Sequence, residues 1–403
     1  MAPRITRRGP AAATATPSAS TEPRRRAQTV TTATRELGSE ELKALRASVT
    51  KRYGAQLIKS GSSVEWVRRI PTGVFTFDYA TLGGWPQSRI HMIHGKKHSG
   101  KTTIALRSLA SAQTSLPDKQ PVLADVEGTY DAVWGEKQGI DNGGLICIQP
   151  EYGEQAADLV VGLVETDDVS LIALDSIAAM IPIKEAEASA EDSLVGAQAR
   201  MVTSMLRKIN GAIIKERRRG HMVTLLLVNQ QRSNIGGFKP NPNVEPITLP
   251  GGKAISYFTS VEVKVTNKET ASKDDNGFDT LAFNEHAFTI EKNKCNGGMR
   301  KGEFRMLRRD DPERGLLEGE MDDAETMLAF CKRLGWYNGG GRNWNLNFGD
   351  YRMAFANIDE AVRRLYEDRA IHWALRCHLI ADAAAQQKQH TDFVQYILSG
   401  SAQ

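Results

Sequence analysis

Short apolar runs alternate with amphipathic stretches between residues 90 and 307 of the chain. The clearest apolar runs are IHMIHG, VLADVEG, LICIQP, SLIALDS and HMVTLLLVNQ. Runs such as LIALD and TLLLVN lack hydrophobic-polar alternation, so they predict central strands that are covered on both faces. The later runs VEVKVTN and HAFTIEKNK predict edge or antiparallel additions. The pattern therefore predicts an α/β fold with a mostly parallel central sheet flanked by helices.

The segments before this region predict a leader and a short arm. Residues 1–38 are rich in Ala, Thr, Ser, Pro and Arg, which predicts a disordered basic leader. An organellar transit peptide is the alternative, although Pro10, Pro17 and Pro23 would interrupt its amphipathic helix. In the arm, residues 39–70, helical spacing relates Leu42, Leu45, Val49 and Tyr53, with Ser39 as N-cap and Gly54 as stop. So short a helix must dock, either on its own core or on a neighbouring subunit.

Residues 71–310 form the predicted core, and residues 311–403 a small, mainly helical C-terminal domain in an α/β arrangement. Within that domain the pattern predicts one helix over Asp322 to Leu334 and another from about Tyr351 to Gln387. The prolines and paired glycines at residues 231–252, and the polar segment at about 183–196, predict two loops in the core.

Composition narrows the class of protein. The net charge is only +4 although Lys and Arg number 52, so any nucleic-acid surface must arise from local grouping. The four cysteines form no CxxC pair, which disfavours a zinc ribbon or a disulfide framework and favours a reducing cytoplasm. There is no run of about 18 apolar residues and no secretory signal pattern, so a membrane partner is not expected.

The most specific motif is GKKHSGKT, which follows the strand IHMIH and precedes the helical stretch TTIALRSLA. Glycines let backbone N–H groups face phosphate oxygens at a helix N-terminus, and the lysine reaches the terminal phosphates. The motif predicts an ATP site with contacts from Gly95, Lys96, Lys97, His98, Ser99, Gly100, Lys101, Thr102 and Thr103. His94 and His98 have a spacing that could suggest a metal pair, but they flank the start of this loop rather than lie on a helix.

Two acidic residues end neighbouring predicted strands. Asp175, followed by Ser176, ends SLIALDS and would hold Mg²⁺ together with the Thr102 hydroxyl. Glu127 ends VLADVEG and would orient and deprotonate water. Asp125 is the rival for that role.

Seven ordered motifs resemble the RecA family of bacterial recombinases: GKKHSGKTT, VLADVEGTYD, LIALDSIAAMIP, GAQARMVTSMLRKI, LLVNQQRSNIGG, LPGGKAISYF and EKNKCNGG. The resemblance covers roughly Ser39 to Gly341, and it implies a P-loop NTPase core of that family's type. It implies that Glu127 is the catalytic glutamate, that Asp131 and Trp134 recognise adenine, and that Gln230 senses the γ-phosphate. Lys292 and Lys294 would cross a subunit interface to a neighbour's γ-phosphate, and Tyr257 would lie in that interface.

The resemblance also implies DNA contacts. Arg200 and Arg207 are seven residues apart, nearly two helical turns, so they face one side; solvated surface charge is the alternative. Contacts in the second loop would come from Arg232, Ile235, Gly251, Gly252 and Lys253. Ile235 would wedge between bases, or else pack on its own core.

Three departures from the family pattern matter. Lys253 replaces an asparagine, Ala287 and Thr289 replace basic residues, and the family's acidic tail is absent. The first two differences put the second, duplex-binding site in doubt, and the third predicts a different electrostatic regulation of DNA binding. A divergent bacterial or phage version of the family would explain all three.

The resulting hypothesis is an ATP-dependent recombinase that polymerises on single-stranded DNA as a helical homo-polymer and pairs it with a homologous duplex. Two alternatives remain: a motor of the same fold, such as a ring helicase or branch-migration ATPase, and a filament that coats single-stranded DNA without productive turnover. The absence of a CxxC element argues against the branch-migration type.

Overall fold

The computed structural model describes residues 40–54, 66–188, 196–233, 247–268 and 283–400, in two units, Met1–Gly61 and Ser62–Gln403. The first unit contains helix α1 (Glu40–Tyr53), which matches the helix predicted from the spacing of apolar residues. It ends where Gly54, at φ 94°, donates its N–H to Thr50 O at 2.9 Å. No residue of α1 is buried. The predicted leader and Ser39 lie outside the described residues.

An eight-stranded sheet forms the centre of the second unit. Its spatial order is β12 (Lys301–Leu307), β11 (Phe283–Asn293), β10 (Thr259–Lys268), β3 (Ile90–Gly95), β7 (Thr224–Gln230), β6 (Val169–Asp175), β4 (Gln120–Asp125) and β5 (Ile146–Ile148). The strands from β10 to β5 are parallel, and β11 and β12 are antiparallel additions. The predicted sheet is therefore confirmed.

Helices cover both faces of this sheet. The long ones are α3 (Lys101–Ser115), α5 (Gly153–Glu165) and α7 (Ala197–Arg217). The short elements are α2 (Phe75–Thr81), α4 (Ala132–Lys137), α6 (Ile183–Glu187), α8 (Ile255–Phe258) and the strand pairs β1 (Arg69–Ile70) with β2 (Trp85–Pro86) and β8 (Arg232–Ser233) with β9 (Ile247–Thr248). Along β7, Leu226 and Val228 join one apolar cluster, whereas Leu225 and Leu227 join the other. Burial on both faces explains the uninterrupted apolar run.

The C-terminal domain combines helices with a small antiparallel sheet. Its elements are α9 (Ala324–Leu334), β13 (Tyr337–Gly340), β14 (Asn343–Phe348), β15 (Tyr351–Phe355), α10 (Ile358–Glu367), α11 (Arg369–Gln386) and α12 (Thr391–Ser399). The single helix predicted from Tyr351 to Gln387 is wrong. Phe355 is buried whereas Arg352 and Ala354 are exposed, which is the period of a strand. Asp368 then separates two helices, because its side chain accepts the N–H of Ile371 at 3.0 Å.

A buried ionic network connects the core to the C-terminal helices. The Asp78 carboxylate accepts hydrogen bonds from Arg376 Nη2 and, at 2.9 Å, from the backbone N–H of Thr72. Arg376 Nη1 also contacts Asp323 at 3.5 Å, and His372 Nε2 lies 2.8 Å from the same carboxylate. Burial raises the pKa of Asp78, so its charged form depends on these donors.

Among the described helices, none is long and apolar enough to span a bilayer.

Candidate nucleotide and DNA site

The phosphate-loop motif lies between the end of β3 and the start of α3. A Cβ at Gly95 would lie 2.3 Å from Val265 O and 2.5 Å from Ser99 Oγ, so only glycine fits there. Gly100 adopts φ 90° immediately before the first helical residue. The loop therefore depends on glycine at both ends, and its last residues place backbone N–H groups at the N-terminus of α3.

Lys101 extends from the first turn of α3 into a buried position. Its Nζ donates to Lys96 O at 2.7 Å, and only 8% of the residue is exposed. Burial lowers the pKa of the Lys101 ammonium, while the carboxylates of Asp175 and Glu127 oppose that shift. The structure thus brings together the lysine and both acids that the sequence placed at strand ends.

Thr102 and Asp175 form the second pair at this site. Thr102 Oγ1 donates to Asp175 Oδ2 at 2.7 Å. Burial raises the pKa of Asp175 to about 6, partly offset by the hydrogen bond from Thr102. A hydroxyl beside a carboxylate supplies the oxygen ligands that Mg²⁺ uses in nucleotide sites. The residues present therefore fit a magnesium ion.

Glu127 lies just beyond β4 and accepts a 2.5 Å hydrogen bond from Ser176 Oγ. Its carboxylate is exposed, unlike that of Asp125. Asp125 instead accepts the backbone N–H groups of Thr129 at 3.2 Å and Tyr130 at 3.0 Å. Asp125 thus holds the turn that follows β4, which leaves Glu127 as the acid available to water.

Asp131 and Trp134 have structural contacts of their own. Asp131 caps α4 by accepting the N–H of Trp134 at 3.1 Å. Trp134 is partly buried and packs against the apolar cluster under α3. These contacts explain both residue types without a nucleotide, so adenine recognition stays a prediction.

Gln230 ends β7 directly beside Gly95, and the next residue begins a network that the sequence did not reveal. Gln231 N donates to Gly95 O at 2.9 Å, and Gln231 Nε2 lies 3.0 Å from His94 Nδ1. On its other side, His94 Nε2 lies 3.0 Å from Glu291 Oε2. These contacts are satisfied when Nδ1 accepts from the Gln231 amide and Nε2 donates to the Glu291 carboxylate. In the sequence, this network is indicated only by a histidine, His94, at the end of a buried strand.

Lys292 and Lys294 lie far along the sheet from the phosphate loop of their own chain. On β10, Val265 pairs with Gly95, whereas Glu262 pairs with Lys292. Three residues of strand correspond to about 10 Å, directed away from the phosphate loop. Lys292 Nζ contacts Glu262 Oε1 at 3.3 Å and Ser256 O. Both lysines therefore lie toward the end of β10 that is remote from the phosphate loop. Tyr257, 80% exposed, is in α8, which directly precedes β10.

The candidate DNA residues are only partly described. Arg200 and Arg207 are exposed on α7. Arg232 Nη2 donates to Ala178 O at 3.0 Å, which fixes the start of the second loop. Ile235 lies outside the described residues, as do 189–195 of the first loop and 234–246 of the second.

The glycine pair that closes the second loop has a packing role. Gly251 and Gly252 have φ 85° and 78°. A Cβ at Gly251 would lie 2.8 Å from Ile255 Cδ1, so close packing also accounts for this glycine. Lys253, which follows the pair, is exposed. A DNA contact for these three residues remains a prediction.

Comparison with known proteins identifies relatives over most of the chain. A family model described as the RecA N-terminal domain matches residues 40–310. The protein named RecA from Oceanobacillus iheyensis is 32% identical over 330 residues, which is 79% of this chain and 90% of the relative. The protein of the same name from Bacteroides thetaiotaomicron is 33% identical over 307 residues, 74% of this chain and 88% of the relative. That from Chlorobaculum tepidum is 35% identical over 281 residues, 69% and 76% of the two chains.

Proposed function

The chain belongs to the RecA family of DNA-dependent ATPases and recombinases, and we propose that it assembles as a helical filament on single-stranded DNA and pairs that strand with a homologous duplex. The observation that carries the assignment of its ATP site is the group formed by Lys101, Thr102, Asp175 and Glu127. These residues come from three elements of the fold and meet at the carboxyl ends of neighbouring parallel strands. Ligands of open α/β sheets bind at such ends.

We assign the phosphates of ATP to the loop from Gly95 to Thr103. Its backbone N–H groups at the start of α3 would bind phosphate oxygens, and Lys101 would exchange its contact with Lys96 O for a phosphate contact. Thr102 and Asp175 would hold Mg²⁺, which neutralises charge on the phosphates when bound. Ser176, the residue after Asp175, donates a hydrogen bond to Glu127 and so positions it.

Glu127 is the proposed general base. Its exposed carboxylate can accept the proton of an attacking water, while Ser176 Oγ fixes one of its oxygens at 2.5 Å. Gln230, beside Gly95 at the start of the second DNA loop, would report the γ-phosphate to that loop. Hydrolysis would then release the loop from its DNA-binding arrangement.

We propose that Lys292 and Lys294 act on the nucleotide of the next copy of the chain. Their place on the sheet, about 10 Å along the strand from their own phosphate loop, supports a contact with a neighbour. Such an interface is head-to-tail, and repeating it without closure produces a helix. ATP would lie between successive copies and stabilise the filament.

DNA would bind along the side that carries Arg200, Arg207 and Arg232, with Ile235, Gly251, Gly252 and Lys253 from the second loop. Phosphate contacts from these arginines predict binding that weakens steeply with salt. Tyr257 would pack in the interface between copies.

Electron microscopy with ATP and single-stranded DNA, combined with a strand-exchange assay, tests this function. Open helical filaments together with exchanged strands are the expected result. Closed rings would instead indicate a motor of the same fold, and filaments without turnover or exchange would indicate a DNA-coating protein. Lys101→Ala should abolish both hydrolysis and ATP-dependent DNA binding, and retention of both would contradict the assigned site.

A further inference from the structure

Lys292, which is proposed to act on the nucleotide of the next copy, has a partner in its own chain. Its Nζ lies 3.3 Å from Glu262 Oε1 and donates a hydrogen bond to the carbonyl oxygen of Ser256. A quarter of the Lys292 side chain is exposed, against 9% of the Glu262 side chain. The lysine can therefore leave this contact toward solvent, whereas the acid stays within the fold.

Two hydroxyl groups hold the Glu262 carboxylate in place. Ser256 Oγ donates to Oε2 at 3.0 Å, and Thr259 Oγ1 donates to Oε1. A buried carboxylate is costly unless it accepts hydrogen bonds of this kind. Because neither hydroxyl belongs to Lys292, the carboxylate keeps both donors when the lysine moves away.

A β-bulge brings the lysine and the acid together. Val263 pairs with Ile290 and Glu262 pairs with Lys292, so Glu291 has no opposite residue on β10. Opposite residues of an antiparallel pair have side chains on the same face of the sheet. In an unbroken register Glu262 would be opposite the carboxylate of Glu291. The extra residue instead places the ammonium of Lys292 beside Glu262.

Lys294 and Arg89 add positive charge beside this pair. Burial lowers the pKa of the Lys294 ammonium, and the charges of Lys292 and Arg89 lower it further. The Glu262 carboxylate opposes that shift. Three cations thus lie together near the carboxylate that contacts Lys292. Grouped cations attract a further anion, so a polyphosphate brought by a neighbouring copy would compete with Glu262 for the lysine.

We propose that Glu262 is a positioning residue that holds Lys292 in reserve until the ATP of the next copy takes it. This inference rests on the proposed contact between Lys292 and a neighbour's γ-phosphate. A terminal phosphate carries about two negative charges, against one on a carboxylate, so it can draw the ammonium away. After hydrolysis and loss of that phosphate, Glu262 would take Lys292 back and so weaken the contact between copies.

Glu262→Gln tests this positioning, because the amide has nearly the shape of the carboxylate but no charge. We expect the ATP concentration for half-maximal DNA-dependent hydrolysis to fall roughly 3- to 10-fold, since the γ-phosphate no longer competes with an acid. The kcat should stay close to its original value, because the lysine reaches the same phosphate in both proteins. An unchanged or higher half-saturating concentration would overturn the proposal.

Glu303→Gln is the matched control, because Glu303 pairs with Lys268 on the exposed part of the same sheet. It should leave the half-saturating ATP concentration unchanged. Binding of a fluorescent ATP analogue to the unassembled chain, without DNA, should be the same in Glu262→Gln and the original protein. Glu262 lies about 10 Å along β10 from its own phosphate loop. An equal gain in that binding assay would place the effect in the chain's own site and contradict the proposal.

Acetylation of lysines by acetic anhydride, without nucleotide and read by mass spectrometry, tests the contact itself. Lys292 should react roughly 2- to 5-fold faster in Glu262→Gln, because the amine loses its contact with the carboxylate. Its rate should not change in Glu303→Gln. Equal rates for Lys292 in Glu262→Gln and the original protein would show that Glu262 does not hold the lysine.

Lys292→Ala separates this inference from the proposed function. If that variant keeps full DNA-dependent hydrolysis, Lys292 does not act on a neighbour's nucleotide and both proposals fail. If it loses hydrolysis while Glu262→Gln leaves the half-saturating ATP concentration unchanged, the role of Glu262 alone fails. Should Glu262→Gln not fold, Glu262→Asp provides the test. Its shorter side chain weakens the contact, so the half-saturating concentration should fall at least ~2-fold.

Discussion

His94 Nε2 donates a 3.0 Å hydrogen bond to Glu291 Oε2, joining two residues that are 197 positions apart in the chain. His94 directly precedes the phosphate loop, and Glu291 directly precedes Lys292. The same imidazole contacts Gln231, the first residue of the proposed second DNA loop. One buried ring thus connects the ATP site, the proposed DNA loop and the strand that carries the proposed interface lysines.

Glu291→Gln should weaken the coupling between DNA binding and ATP hydrolysis without preventing the binding of either ligand. The hydrogen bond from His94 lowers the pKa of Glu291, so this contact favours the charged carboxylate. The substitution replaces that charge-assisted hydrogen bond with a neutral one. We expect the stimulation of ATP hydrolysis by DNA to fall roughly 3- to 10-fold, because a hydrogen bond to a charged group is worth about 1 kcal/mol more than a neutral one. Steady-state ATPase assays with and without single-stranded DNA measure this ratio.

Glu165→Gln is the control for that substitution, because Glu165 pairs with Lys215 on the surface, away from the phosphate loop. It should leave the stimulation unchanged. Equal stimulation in Glu291→Gln and the original protein would refute the proposed link.

Glu127→Gln should slow turnover while preserving binding of nucleotide and DNA. Removal of a general base typically lowers kcat by about 10²- to 10⁴-fold. Asp125→Asn is the matched comparison: Asp125 accepts two backbone N–H groups, so its loss should lower the Tm rather than act only on kcat. If Asp125→Asn were stable but inactive while Glu127→Gln remained active, Asp125 rather than Glu127 would be the general base.

His91 should make the stability of the protein depend on pH. This residue is fully buried beside Trp85, and burial lowers its pKa to about 3. The unfolded chain therefore takes up a proton near pH 6.5, whereas the folded chain does not. Stability from this group is complete above pH 6.5 and falls as the pH drops toward 3, by about 2 kcal/mol at pH 5.

Unfolding by urea at pH 7.5 and pH 5 measures that loss. His91→Phe should reduce it, because phenylalanine does not titrate. His390→Asn changes an exposed histidine to another capping residue, so it should retain the full pH dependence. An unchanged pH dependence in His91→Phe would assign the effect to other groups.

Lys292→Ala and Glu127→Gln should complement each other when mixed, because Glu127→Gln should still bind nucleotide and DNA. Each variant alone lacks one half of every proposed site. In a random 1:1 filament, about one interface in four joins an intact Glu127 to an intact Lys292. We expect about a quarter of the original DNA-dependent ATPase rate from the mixture, and near zero from either variant alone. Absence of any recovery would place Lys292 in its own chain's site or outside catalysis.

The local patterns predicted the sheet because they report burial directly. LIALD and TLLLVN are apolar at successive positions, and the structure covers both faces of β6 and β7. The same reasoning failed at β15, where the stretch YRMAF is too short to separate strand from helix by period alone. In residues 358–386 the two helices carry continuous helical spacing, and only the cap at Asp368 divides them.

The residues of the candidate site also differ in how well local sequence patterns reveal them. Glycines, Lys101 and the strand-end acids carry their chemistry in short motifs, so the sequence alone was sufficient to propose them as one site. His94 has its partners 137 and 197 positions away, a distance that no local pattern records. At Gly251 the sequence is ambiguous, because the positive φ of this residue and its close packing against Ile255 account for a glycine without any DNA contact.

The separation of Lys292 from its own phosphate loop has a consequence for counting active units. Under the proposed head-to-tail contact, a row of n copies completes n − 1 sites, and one terminal copy always carries an unfinished one. Hydrolysis per molecule would then rise with filament length, from nothing in a lone copy toward a plateau. The two filament ends would also differ in lifetime, since the last nucleotide at one end lacks the lysines of a neighbouring copy.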